Sequence, residues 1–200
     1  MTVIQGDARP AIRLSSARAL RLLVVAAVTT GAIALPGAAF GTDGTATIGS
    51  GGLALGTPGS VAFTATLTGA PQNVTATQNL AVSDLTGSEA GWHITATSTQ
   101  FVISGGGTLP LTAVTVPATP TRTCDVGTPS CTLAVPGVSY PYTLPAAAGV
   151  APTATKIYNA TAGTGMLSQT VVATMQLAIP ANARAGVYQS TWTYSLVSAP

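Results

Sequence analysis

The chain has 200 residues, of which only 6% are charged and 46% hydrophobic, and its seven Lys and Arg against five Asp and Glu leave a formal charge of +2. The positive charge is gathered at the start, where Arg9, Arg13, Arg18 and Arg21 face a single acid, Asp7. Beyond residue 40 only Arg122, Lys156 and Arg184 remain against Asp43, Asp84, Glu89 and Asp125, a balance of about −1, so no basic patch is left for nucleic acid or for polybasic attachment to a membrane.

The basic start is followed by an uncharged stretch over 22–40, broken by Pro36-Gly37 and closed by the small residues Gly37-Ala38-Ala39. This is the layout of a secretory signal, and it predicts a signal peptide over 1–39 with cleavage after Ala39, Ala39-Phe40-Gly41 offering a second site. The competing reading is an uncleaved anchor, since the uncharged stretch is about long enough to cross a bilayer, but Pro36 lies inside it and breaks a spanning helix.

Residues 40–60, with Gly44, Gly49, Gly51, Gly52, Gly56 and Gly59, form a glycine-rich leader or an edge strand, and 61–200 form one domain. Pro and Gly recur too often for long helices. The clearest strand is 171–179, where Val171, Ala173, Met175, Leu177 and Ile179 fall on one face. Residues 61–67 alternate in the same way, with Val61, Phe63, Ala65 and Leu67 inward. Further strands are expected at 80–85, 92–98, 101–104, 111–116, 155–160 and 187–196, and 86–91 is expected to close a hairpin between the first two of these. The fold class is therefore all-β, an antiparallel sandwich or barrel-like single domain.

Cys124 and Cys131 bracket a run of turn formers without the CxxC spacing of a redox or metal pair, which in an exported chain points to a small structural disulfide contributing about 2 to 3 kcal/mol. Beyond residue 40 the chain has one His, one Glu and three Asp, a poor inventory for catalysis. His93 has no G-x-S-x-G partner motif, and Asp84 and Glu89 read as turn acids bonding nearby backbone N–H groups rather than as a glycosidase pair. Ser104-Gly105-Gly106-Gly107-Thr108 lacks the lysine and helix of a phosphate loop and reads as a flexible loop. Asn73-Val74-Thr75 and Asn159-Ala160-Thr161 fit the glycosylation sequon. No enzyme activity, cofactor or metal is expected.

The aromatic residues remain, and they are few: Trp, Tyr and Phe make up 5% of the chain. Both tryptophans lie in strand-like stretches, Gly91-Trp92-His93-Ile94 and Thr191-Trp192-Thr193-Tyr194-Ser195-Leu196. Alternation puts Trp92, Ile94 and Ala96 on one face, and Tyr188, Trp192, Tyr194 and Leu196 on another. Such rows serve either as sandwich core or as platforms on which sugar rings stack, because indole joins a broad apolar face to one N–H donor. The two indoles are expected to become neighbours in the folded sandwich.

With Asp84-Leu85-Thr86-Gly87 ahead of Gly91-Trp92-His93-Ile94, and Ala185-Gly186-Val187-Tyr188 leading to Thr191-Trp192-Thr193-Tyr194-Ser195-Leu196, the chain resembles the WxL domain of Gram-positive surface proteins over nearly all of 40–200. Ile94 and Tyr194 stand where that family has Leu. The resemblance implies a secreted cell-surface module that binds peptidoglycan or an associated wall polymer non-covalently, beside other surface proteins, with Trp92, Ile94, Trp192 and Tyr194 as its wall-binding residues. The alternative is a structural subunit that assembles through strand edges into a surface layer or fibre.

Overall fold

β-Branched and apolar stretches bounded by Gly and Pro form the strands, the longest of them with alternating burial. The computed structural model describes residues 45–125, 127 and 131–199; the expected signal peptide 1–39 and its cleavage site lie outside them, as does the start of the leader. In chain order the strands are β1 (Leu53–Leu55), β2 (Gln72–Asp84), β3 (Trp92–Thr99), β4 (Val102–Ile103), β5 (Val114–Val116), β6 (Thr121–Cys124), β7 (Tyr142–Thr143), β8 (Ala146–Ala147), β9 (Thr155–Ala160), β10 (Leu167–Ile179), β11 (Tyr188–Gln189) and β12 (Trp192–Ser198).

The alternating stretch expected at 171–179 forms most of β10, which pairs along its full length with β2, from Leu167 opposite Asp84 to Ile179 opposite Gln72. On its other edge β10 carries β6 and β5, β7 adds to β5, and β1 caps the far end of β2. The second sheet centres on β3, with β12 on one side and β9 and β8 on the other, and β4 and β11 form a separate pair. Val171, Ala173 and Met175 of β10, Leu80 and Val82 of β2, Trp92, Ile94 and Ala96 of β3, and Ile157 and Ala160 of β9 share one buried core. The sheets are antiparallel apart from the β3–β8 pair and none closes on itself, so the fold is an all-β sandwich and not a barrel.

Three expectations are corrected. Residues 61–67 form no strand: Val61 and Phe63 are half-buried, but Ala65 and Leu67 are exposed, and no backbone hydrogen bond links 57–71 to any described residue. Alternation there reports an apolar face without a ladder partner, because Phe63 is held by the rings of Phe101 and Trp192, 6.4 and 6.2 Å away, rather than by a neighbouring strand. Residues 86–91 close no hairpin either, since β2 and β3 belong to different sheets. The segment is an arch between layers, started by Asp84 Oδ1, which accepts from the Thr86 N–H and hydroxyl at 3.1 and 2.7 Å, and ended by Gly91 in the left-handed region at φ 77°. The stretch 187–196 splits into β11 and β12, which lie in different sheets.

The Gly105–Gly107 region is a defined turn, with Ile103 N–H donating to Gly107 O at 2.9 Å and Gly106 N–H to Ile103 O at 3.0 Å. Cys124 and Cys131 form the expected disulfide, with Cα atoms 5.8 Å apart. It ties the end of β6 to the segment 131–134, whose buried Ala134 sits beneath β10 and β9.

Candidate binding groove

β3 and β12 pair antiparallel with Trp92 opposite Ser198 and Trp192 opposite Ser98. The indoles are thus on adjacent strands but at opposite ends, six residues or about 20 Å apart at ~3.3 Å per residue. They are not neighbours, and they stand in different surroundings.

Trp92 and Ile94 are each 0% exposed. The Trp92 ring lies 5.9 Å from that of Tyr158, and its Nε1–H donates to Gly165 O at 2.9 Å. Gly165 has φ 78°, and a Cβ there would run into the indole. Tyr158 in turn donates its hydroxyl to Ala134 O at 3.2 Å, and the Ala134 N–H is taken by Gln169 Oε1 at 3.1 Å. This end of the sandwich is a closed core knit by buried hydrogen bonds, and the first tryptophan motif belongs wholly to it.

Trp192 and Tyr194 are half-buried and open on the other side. Trp192 meets Phe101 edge-on at 6.3 Å and donates its Nε1–H to Ser190 Oγ at 2.9 Å. Both residues line a groove of about 900 Å³ whose walls come from 58–61 and 188–194, with Gln78 and Phe101. Its lining contains Tyr188, Trp192 and Tyr194 together with Ser, Thr and Gln side chains and no charged residue. The alternation of β12 made Trp192 and Tyr194 legible as one face; Ser60 and Gln78, from other parts of the chain, gave no sign of sharing their groove.

The acids and the histidine do not gather into a site. Asp84 is occupied by Thr86, and His93 Nδ1 lies 2.7 Å from Ala199 O. Among the described residues no three His, Cys, Asp or Glu come together. Asn73 is exposed, whereas Asn159 of the second sequon is buried in β9.

Burial pushes the phenols of Tyr140, Tyr142, Tyr158 and Tyr194 above the ordinary value of 10.0, with Arg122 pulling Tyr158 partly back. Below 10.0 both states keep these phenols protonated, and above it the unfolded chain ionises first. Stability is therefore expected to hold up to about pH 10 and to fall as pH rises further, which urea midpoints followed by circular dichroism across that range will check.

The fold and groove together define a β-sandwich with an aromatic cleft whose lining carries no charged residue. Set against family models, curated proteins and solved structures, the chain matches none.

Proposed function

We propose that the chain is an exported surface protein that holds the cell wall non-covalently, taking peptidoglycan or an attached wall polymer into the groove at the start of β12. The observation that carries this reading is the pairing of half-buried Trp192 and Tyr194 with neutral hydroxyl and amide side chains in one concavity. Sugar rings offer apolar C–H faces and a rim of hydroxyls, and such a lining meets both without the desolvation cost of a buried charge. The likeness to WxL domains supports the same ligand class. Within that motif set the roles divide: Trp192 and Tyr194 contact the polymer, while Trp92 and Ile94, with no exposed surface, hold the strand on which β12 is laid. No catalytic step is assigned.

Retention on isolated peptidoglycan, with and without its secondary polymers, tests the proposal. Trp192→Ala is expected to weaken retention by roughly 10-fold or more, as loss of a central aromatic anchor does, while the far-ultraviolet circular dichroism keeps its strand signature. Unchanged retention would overturn it. The competing reading, a subunit of a layer or fibre, is favoured by the edge of β12 and the part of the β2 edge before Ala81, which meet no strand among the described residues; it requires species that grow without limit with concentration in sedimentation.

A further inference from the structure

The free edge of β2 has a property that the wall-binding reading does not use. β1 covers β2 only from Val82 to Asp84, and Gly56 N–H reaches Ala81 O at 2.8 Å before the chain leaves the edge. From Gln72 to Leu80 the edge meets no other strand among the described residues. Natural sheets block such edges with charges, prolines or bulges. Residues 72–80, Gln-Asn-Val-Thr-Ala-Thr-Gln-Asn-Leu, contain no charge and no proline, and their register with β10 runs without a shift.

The direction of the free groups follows from the bonds already made. Ala81 O and both backbone groups of Leu85 bond toward β1 and its flanking glycines. Successive residues alternate sides, so Asn73, Thr75, Thr77 and Asn79 turn their N–H and C=O toward the open edge. These four residues also carry the exposed side chains of residues 72–80, and they read the same in both directions about Ala76: Asn, Thr, Thr, Asn.

We infer that this edge pairs with the same edge of a second copy, antiparallel about a two-fold axis at Ala76. Thr75 then lies opposite the second copy's Thr77, and Asn73 opposite its Asn79, each pair exchanging two backbone hydrogen bonds. The facing side chains are neutral hydrogen-bonding pairs of the kind that stabilise antiparallel ladders. Because one patch meets itself, the contact closes at two copies and builds no fibre. β2 begins at Gln72, just after bends at Gly69 and Ala70, where Gly69 has φ 79°, and Gln72 Nε2 donates back to Thr66 O at 2.9 Å. The pairing joins two large sheets edge to edge, and Asn73, Thr75, Thr77 and Asn79 do not line the groove at β12, although Gln78 between the last two does.

Sedimentation equilibrium of the full chain over a range of concentrations tests the inference, with two double variants on exposed positions. Thr75→Lys with Thr77→Lys places lysine opposite lysine twice across the axis and is expected to weaken dimerisation at least about 10-fold, with the melting transition of the monomer unchanged. Thr75→Lys with Thr77→Glu places opposite charges across the same pairs and is expected to restore the dimer. A wild-type chain that stays monomeric at every concentration, or a dimer that tolerates the lysine pair, overturns the proposal.

Discussion

Trp92→Ala is expected to lower the free energy of unfolding by about 3 to 5 kcal/mol. The indole has no exposed surface and packs on Tyr158 at 5.9 Å, so alanine leaves a cavity that the flanking strands cannot close. Relaxation is limited because Gly165, at positive φ, already lies against the indole, while Gly91, also at positive φ, is close against the backbone of Ala160 and Thr161. The change also orphans Gly165 O, the acceptor of the indole N–H. Trp92→Phe separates the two contributions: it keeps much of the packing and loses the hydrogen bond, and is expected to cost about 1 to 3 kcal/mol. Urea unfolding measures both. The folded fraction of Trp92→Ala should still be retained on wall material, since the groove lies at the opposite end of the β3–β12 pair. Lost retention with unchanged stability would place the ligand at Trp92 and refute the division of roles proposed above.

Legibility in the sequence follows the range of the interaction concerned. β10 and β3 could be read because side-chain period and burial coincide along most of each, β9 only from the residues that bound it, since residues 157–160 are all buried, and the disulfide because its cysteines lie only seven positions apart. Residues 61–67 carry an equally clean alternation and form no strand, because a ladder depends on where a partner edge lies, and Phe63 is instead drawn between Phe101 and Trp192. The two-residue strands β7 and β8 sit among Pro141 and Pro145 and have no period to detect. Equal patterning around the two tryptophans likewise concealed unequal depth. Trp92 lies on the central strand of its sheet, flanked by β12 and β9, whereas Trp192 lies on an edge strand. Strand order, which local patterning does not encode, thus separates a core residue from a groove residue.

Gln169→Leu is expected to cost about 2 to 4 kcal/mol although it replaces a polar side chain with an apolar one of similar size in the core. Gln169 is fully buried on β10, and its Oε1 accepts from Ala134 N–H at 3.1 Å while its Nε2 donates to Met166 O at 3.3 Å and Thr132 O at 3.4 Å. Leucine satisfies none of these, and each buried backbone group left without a partner costs about 1 to 3 kcal/mol. The bonds fasten the segment that follows Cys131, and Ala134 O is also the acceptor for Tyr158 beside Trp92, so the damage reaches the aromatic core. Gln169→Glu gives the result a sign that packing alone cannot mimic. A carboxylate here would accept from Ala134 N–H but could not donate, and burial would raise its folded pKa above the unfolded value of about 4.3. Its stability contribution is then fully present below about pH 4.3 and is lost as pH rises through the folded value. Relative to wild type, Gln169→Glu should be most destabilised at neutral pH and recover toward pH 4, whereas the deficit of Gln169→Leu should not change with pH. Parallel pH profiles for the two variants would show that Gln169 merely fills space.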